Sequence, residues 1–193
     1  HYPLRRQRQM CIRDRRIIWF GIIKISNTNL GWARKMSKHF LVEPDAEIVN
    51  RKLPLFTDNL LGDDSRKDIT NALEKEMVKY GGIGLSANQI GLPFRMFVMG
   101  GHPLIEEGKV RQCWNPEILE TSEEMVEMKE GCLTFPFLFL PIVRPKWVKV
   151  KYENDDKEIV EEYLHDMSAR VFQHEWDHIC LLYTSDAADE EDS

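Results

Sequence analysis

Apolar residues recur at helical spacing in residues 66–80, RKDITNALEKEMVKY, where Ile69, Leu73, Met77 and Tyr80 fall near one face. With the cap-rich Asp63-Asp64-Ser65 cluster before it, this stretch predicts a helix. Gly81-Gly82 stops the helix and opens a glycine-rich loop of sequence GIGLSANQIG. Pro93 to Met99 then reads as a buried strand. Lys146 to Tyr152 alternates, with Val148, Val150 and Tyr152 on one face, as a half-buried strand does. From about His165 to Ile179 the period is helical again, with Met167, Val171 and Phe172 along one stripe. A helix, short strands and a closing helix predict an α+β domain, without internal repeats.

Composition narrows the class. The chain has 193 residues, 42% hydrophobic and 30% charged, enough for one soluble domain with a core of its own. The longest early apolar run, Ile17 to Ile23, ends at Lys24 and is too short to span a bilayer. Net charge is −6 but unevenly spread: residues 1–35 carry +8, residues 36–179 carry −9 and residues 180–193 carry −5. An acidic body argues against direct nucleic-acid binding. Residues 1–35 are Arg-rich without amphipathic period and read as a non-native or disordered extension, Met36 being the natural start. Residues 183–193, YTSDAADEEDS, read as a disordered or non-native acidic tail. The expected domain is therefore 36–182. Cys11, Cys113, Cys132 and Cys180 form no CxxC pair, which fits a reducing cytoplasmic compartment better than a disulfide framework.

The local signal for chemistry is His174-Glu175-Trp176-Asp177-His178 on the predicted last helix. A spacing of four sets both imidazoles on one helix face, where they can ligate one metal, with Glu175 able to reach a water on it. A helix that merely happens to carry two histidines and a carboxylate would show the same pattern. The third ligand discriminates. Only 15 residues follow His178, and Leu181 and Thr184 stand where an extended metzincin pattern needs Gly and His. The ligand is therefore expected upstream, and Cys132, in Glu130-Gly131-Cys132-Leu133-Thr134, offers a thiolate suited to a borderline metal.

Three segments together resemble the peptide deformylase family: Gly82-Ile83-Gly84-Leu85-Ser86-Ala87-Asn88-Gln89, Glu130-Gly131-Cys132-Leu133-Thr134 and Gln173-His174-Glu175-Trp176-Asp177-His178. Similarity runs from about Phe40 to Ile179, with Asn115-Pro116 and Arg144-Pro145 in support. Ser86 stands where the family usually has alanine, and Thr134 where it has serine. The resemblance implies an α+β fold, its antiparallel or mixed strands packed around a central HExxH helix. It implies hydrolytic removal of the formyl group from the N-terminal formylmethionine of newly synthesised proteins, with release of formate. Cys132, His174 and His178 would hold Fe²⁺, replaceable by Zn²⁺, Ni²⁺ or Co²⁺. Glu175 would be the general acid and base, with Gln89 and the Leu133 backbone N–H stabilising the oxyanion. Gly84 and Ile83 would meet the peptide main chain. Glu130 and Arg144 are expected to pair beside the Cys132 loop, and Asp177 is a candidate partner for a ligand histidine. The implied partners are N-formylmethionyl peptides of nascent chains, near the ribosome, for a monomer in the bacterial cytoplasm; a phage-encoded or organellar version is the alternative location. Another HExxH metallopeptidase, or a non-catalytic metal-binding relative, is the competing reading.

Overall fold

Ser65 starts the first long helix as a reciprocal N-cap: its hydroxyl accepts the Asp68 N–H, while the Asp68 carboxylate accepts the Ser65 N–H at 2.8 Å. The computed structural model describes residues 41–180, residue 104 excepted. Helix α1, Arg66–Lys79, buries Ile69, Leu73 and Met77, the face that the spacing predicts. It ends where Gly81 takes a φ of 68°. The N–H groups of Gly81 and Gly82 close back on the carbonyls of Val78 and Met77 at 3.0 and 2.9 Å. These are the paired bonds of a Schellman stop.

Seven strands follow in the described residues: β1 Gly84–Ser86, β2 Met96–Met99, β3 Arg111–Thr121, β4 Met125–Cys132, β5 Phe135–Pro145, β6 Trp147–Glu153 and β7 Ile159–His165. Helix α2, Asp166–Cys180, closes the described chain. A five-stranded sheet has the order β1-β2-β3-β6-β7, and β4 pairs with β5 in a separate ribbon. Every described pairing is antiparallel, so the mixed alternative is not realised. The expected glycine-rich loop is more ordered than its composition suggests, since it contains the edge strand β1 and a 3₁₀ turn over Ala87–Ile90. β2 starts at Met96, three residues later than Pro93.

The two helices cover opposite faces of the sheet. Met96 and Val98 of β2 join a core with Ile69, Leu73 and Met77 of α1, while Phe97 and Met99 join another with Phe172 and Ile179 of α2. Burial on both sides explains why β2 reads as a continuous apolar run rather than an alternating one. In β6 the alternation is as expected, with Val148, Val150 and Tyr152 buried. β3 kinks at Asn115, which has a φ of 49°. Pro116 follows it and has no N–H for the ladder, and the pairing with β6 shifts register there. The Asn115 side chain compensates by bonding both the N–H and the C=O of Phe56, at 2.7 and 3.0 Å.

The expected boundaries at 36 and 182, and the segments 1–35 and 183–193, lie outside the described residues. No described helix is long and apolar enough to cross a membrane.

Phe172 anchors α2 to the sheet, its ring edge-on to Phe97 at 5.1 Å between centroids. Phe172→Ala should lower stability by about 3–5 kcal/mol, the range for emptying a well-packed aromatic site. The shift in urea midpoint, compared with Val78→Ala on the exposed side of α1, measures it.

Candidate active site

Helix α2 presents His174 and His178 one turn apart, their ring centroids separated by 5.1 Å. Cys132, at the end of β4, comes to them from across the fold. Its Sγ lies 3.2 Å from His178 Nε2. One ligand atom from each of Cys132, His174 and His178 falls within 4.8 Å of the others. One thiolate and two imidazoles converging this closely fit a tetrahedral divalent metal with an open fourth position.

Glu130 fixes the orientation of the trio. Its carboxylate sits 3.0 Å from His174 Nδ1, which leaves Nε2 as the ring's ligand atom. The same carboxylate accepts a bidentate pair from Arg144 at 2.7 and 3.0 Å, and another bond from Arg170 at 2.8 Å. Arg170 and Arg144 also tie α2 to the ribbon. Arg170 donates to the carbonyls of Val126 and Ile142 at 2.6 and 2.9 Å, and Arg144 reaches Asp177 at 2.8 Å. The expected Glu130–Arg144 pair is therefore present. Asp177, by contrast, pairs with Arg144 rather than a histidine, because the turn of α2 carries its side chain to the ribbon.

Glu175 is 4% exposed. A Cβ on Gly84 would stand 2.9 Å from its Cδ, so only glycine at that position admits the carboxylate. Ser86 holds it from the other side, donating its hydroxyl to Glu175 Oε2 at 2.7 Å. The Ser86 N–H meanwhile donates to Gln89 Oε1 at 2.8 Å. That bond turns Gln89 Nε2 towards Thr134 Oγ1, at 3.0 Å, and Cys132 Sγ, at 3.7 Å. Leu133 packs its side chain against the α1 core and closes over Gly82, where a Cβ would meet its Cδ1 at 2.7 Å. Asn88 secures the helix end by donating to the His178 carbonyl at 2.6 Å. A cleft of about 540 Å³ runs over these groups, lined by Ile83, Gly84, Gln89, Cys132, Leu133 and Glu175 among others.

The sequence points to the residues that converge and to the Glu130–Arg144 pair, but not to the other contacts that hold them. Ser86, which stands where the family usually has alanine, touches both Glu175 and Gln89. Arg170 gave no signal, since its partners lie 40 residues and more upstream except for Ile142.

The electrostatics follow from these contacts. Burial alone would raise the Cys132 thiol, but hydrogen bonds and charge from His174 and His178 outweigh it and bring it down to about 5. The sulfur is therefore a thiolate at neutral pH. Burial opposes the charged form of His174, but Cys132 and Glu130 hold it and push the ring up to about 10. A metal needs the neutral ring, so binding one there releases a proton. For Glu175, burial raises the carboxyl above its ordinary value against the pull of His174, His178 and Ser86.

Glu130 goes the other way. Burial would raise it, yet His174, Arg144 and Arg170 bring it from 4.5 down to about 2. A depressed carboxyl stabilises the fold fully above the unfolded value and loses that contribution as pH falls from 4.5 towards 2. Glu130→Gln should cost about 3–5 kcal/mol near pH 7, because the buried Arg170 guanidinium loses its carboxylate partner and Arg144 keeps only Asp177. The difference from wild type should shrink below pH 4.5. Urea midpoints of both proteins at pH 7 and pH 3 test this, and a constant difference would contradict it.

A family model described as polypeptide deformylase matches residues 42–192. The peptide deformylase of Thermotoga sp. strain RQ2 is 45% identical over 117 residues, covering 61% of this chain and 68% of that protein. A crystal structure of peptide deformylase from Thermotoga maritima superposes with a TM-score of 0.64 at 36% identity, over 73% of this chain and 90% of that one. A Met-Ala-Ser-bound class I type b peptide deformylase from Acinetobacter baumannii gives a TM-score of 0.66 at 29% identity, over 72% and 91%. The chain belongs to the polypeptide deformylase family, metal-dependent hydrolases that remove the formyl group from the N-terminus of newly made proteins.

Proposed function

We propose that this chain deformylates N-formylmethionyl peptides at the Cys132, His174 and His178 site, with Glu175 as general acid and base. The observation that carries the assignment is the upstream thiolate converging with both HExxH histidines. A peptidase of the HExxH type would instead draw its third ligand from downstream. We take the metal to be Fe²⁺ on the family resemblance, with Zn²⁺, Ni²⁺ or Co²⁺ able to replace it. Bound there, a divalent metal would supply a Lewis acid for the formyl oxygen and would lower the pKa of the attacking water towards neutral.

The chain's own groups do the rest. The Glu175 carboxylate removes a proton from the attacking water, and Ser86 on Oε2 leaves Oε1 for that task. Water's oxygen bonds to the formyl carbon and its C=O becomes an oxyanion. Gln89 Nε2, aimed by Ser86 and Thr134, donates to that oxyanion beside the Leu133 N–H. Glu175 then passes its proton to the methionine nitrogen as the C–N bond breaks. Formate and a free amine leave. Burial above the ordinary carboxylate range suits Glu175 to both halves of this transfer.

The substrate backbone has a place to pair. β1 is an edge strand, and an extended peptide can add to such an edge by main-chain hydrogen bonds. Ile83 and Gly84 are the contacts we assign; the Ile83 carbonyl is engaged by the Gly100 N–H at 2.9 Å, so pairing there would use other main-chain groups. The Met-Ala-Ser bound to the Acinetobacter baumannii enzyme has the form of a deformylated product, which supports the substrate class. We place the activity on nascent chains near the ribosome, by a monomer in the bacterial cytoplasm, on the same family resemblance.

Formate release from formyl-Met-Ala-Ser, measured anaerobically with Fe²⁺ or Ni²⁺ because thiolate sites are prone to oxidation, is the direct test. Wild type should turn over and Glu175→Ala should lose at least about 10²-fold in kcat, the contribution of general acid–base catalysis. Equal rates in the two metal-loaded proteins would refute the mechanism. Chelation should abolish activity and metal addition restore it. Ser86→Ala should lower kcat about tenfold with KM unchanged, the loss of one hydrogen bond to a charged group. An unchanged kcat would mean that packing against Gly84 alone positions Glu175.

A further inference from the structure

The cleft has one wall that deformylation itself does not call for. Where β5 leaves the cysteine, the ladder pairs Cys132 with Phe135 but Gly131 with Phe139, so residues 136–138 are pushed outward. Phe137 is 97% exposed and Phe139 65%, with Leu138 exposed between them. All three line the cleft that holds Cys132 and His174. Phe137 also has a φ of 68°, in the left-handed region that bulky side chains rarely enter. Phe139 is seated, its ring lying across Gly131, where a Cβ would be 2.6 Å from Cε1. A contiguous apolar group at a cleft mouth, held in an unusual backbone shape, marks a contact surface.

Continuity with the catalytic cleft selects the occupant. A peptide whose formyl group reaches the Cys132 site must leave past the cleft walls, and the β4–β5 ribbon is one of them. We propose that Phe137, Leu138 and Phe139 form an apolar lip that receives the side chains following formylmethionine. This chain thereby favours nascent peptides with large apolar residues in the second and third positions. The inference rests on the deformylase reading of the cleft.

The test compares kcat/KM on formyl-Met-Leu-Phe amide and formyl-Met-Ala-Ser amide, using metal-loaded wild type, Phe137→Ser and the double variant Phe137→Ser/Leu138→Ser. Wild type should prefer the apolar peptide about tenfold, the scale of discrimination that added apolar groups provide. That ratio should fall in Phe137→Ser and approach one in the double variant. An unchanged ratio, or equal rates of wild type on both peptides, overturns the lip while leaving deformylation intact. Turnover of neither peptide would sink both readings. A wild-type dimer that dissociates on Phe137→Ser, seen by sedimentation, would make the patch a contact between copies and overturn the proposal. These side chains face solvent, so loss of the fold does not confound the comparison; circular dichroism checks it.

Discussion

The buried Glu130 carboxylate is the contact on which the rest of this structure depends. The cysteine and the histidines of the site come from parts of the chain more than 40 residues apart, the histidines on α2 and the cysteine on a ribbon that shares no described strand pairing with the main sheet. Nothing in the backbone ladder forces them together. Glu130 stands two residues before Cys132 on β4 and gathers Arg144 from β5, and Arg170 and His174 from α2. One side chain thus fixes the distance between the thiolate and the imidazoles and sets the orientation of the ring. Burying such a cluster is costly, and an apolar replacement of the same shape could stabilise more. The gain is geometric, since charged hydrogen bonds have directions that apolar packing lacks.

What the sequence revealed follows the reach of each interaction. α1 and β6 were legible because each buries one face, so local periodicity reports the fold. The HExxH helix was legible twice, through its apolar stripe and through its histidine spacing. β1 was hidden inside a glycine-rich segment whose composition suits a loop, and its three residues are strand only because β2 pairs with them. β5 was hidden for a different reason. Pro136, Pro141 and Pro145 argue against a strand, yet a two-stranded ribbon leaves each strand a free edge where a missing N–H costs no pairing.

The centre of the site was read from three motifs, whereas its supports, the Glu130–Arg144 pair apart, could not be. Ser86, Arg170 and the Glu130–His174 contact act between segments whose separation along the chain carries no pattern. Asp177 illustrates the error that proximity invites. It neighbours His178 in sequence, but on a helix adjacent residues point about 100° apart, and it serves the ribbon instead.

The motif glycines sharpen the point. A helix stop accounts for Gly81, whose φ is 68° and whose N–H closes the last turn. Gly82, Gly84 and Gly131 are not among the residues of positive φ, so no backbone demand selects them. Each instead faces a side chain from another segment: Leu133 at Gly82, Glu175 at Gly84, and at Gly131 its cross-strand partner Phe139. The missing Cβ makes room for a partner, not for a turn. Gly84 matters most, because the atom it lacks would occupy the space of the Glu175 carboxylate. Glycines that read locally as punctuation therefore belong to the tertiary structure, and the first motif is held to its shape by Leu133 and Glu175 of the other two rather than by its own conformation.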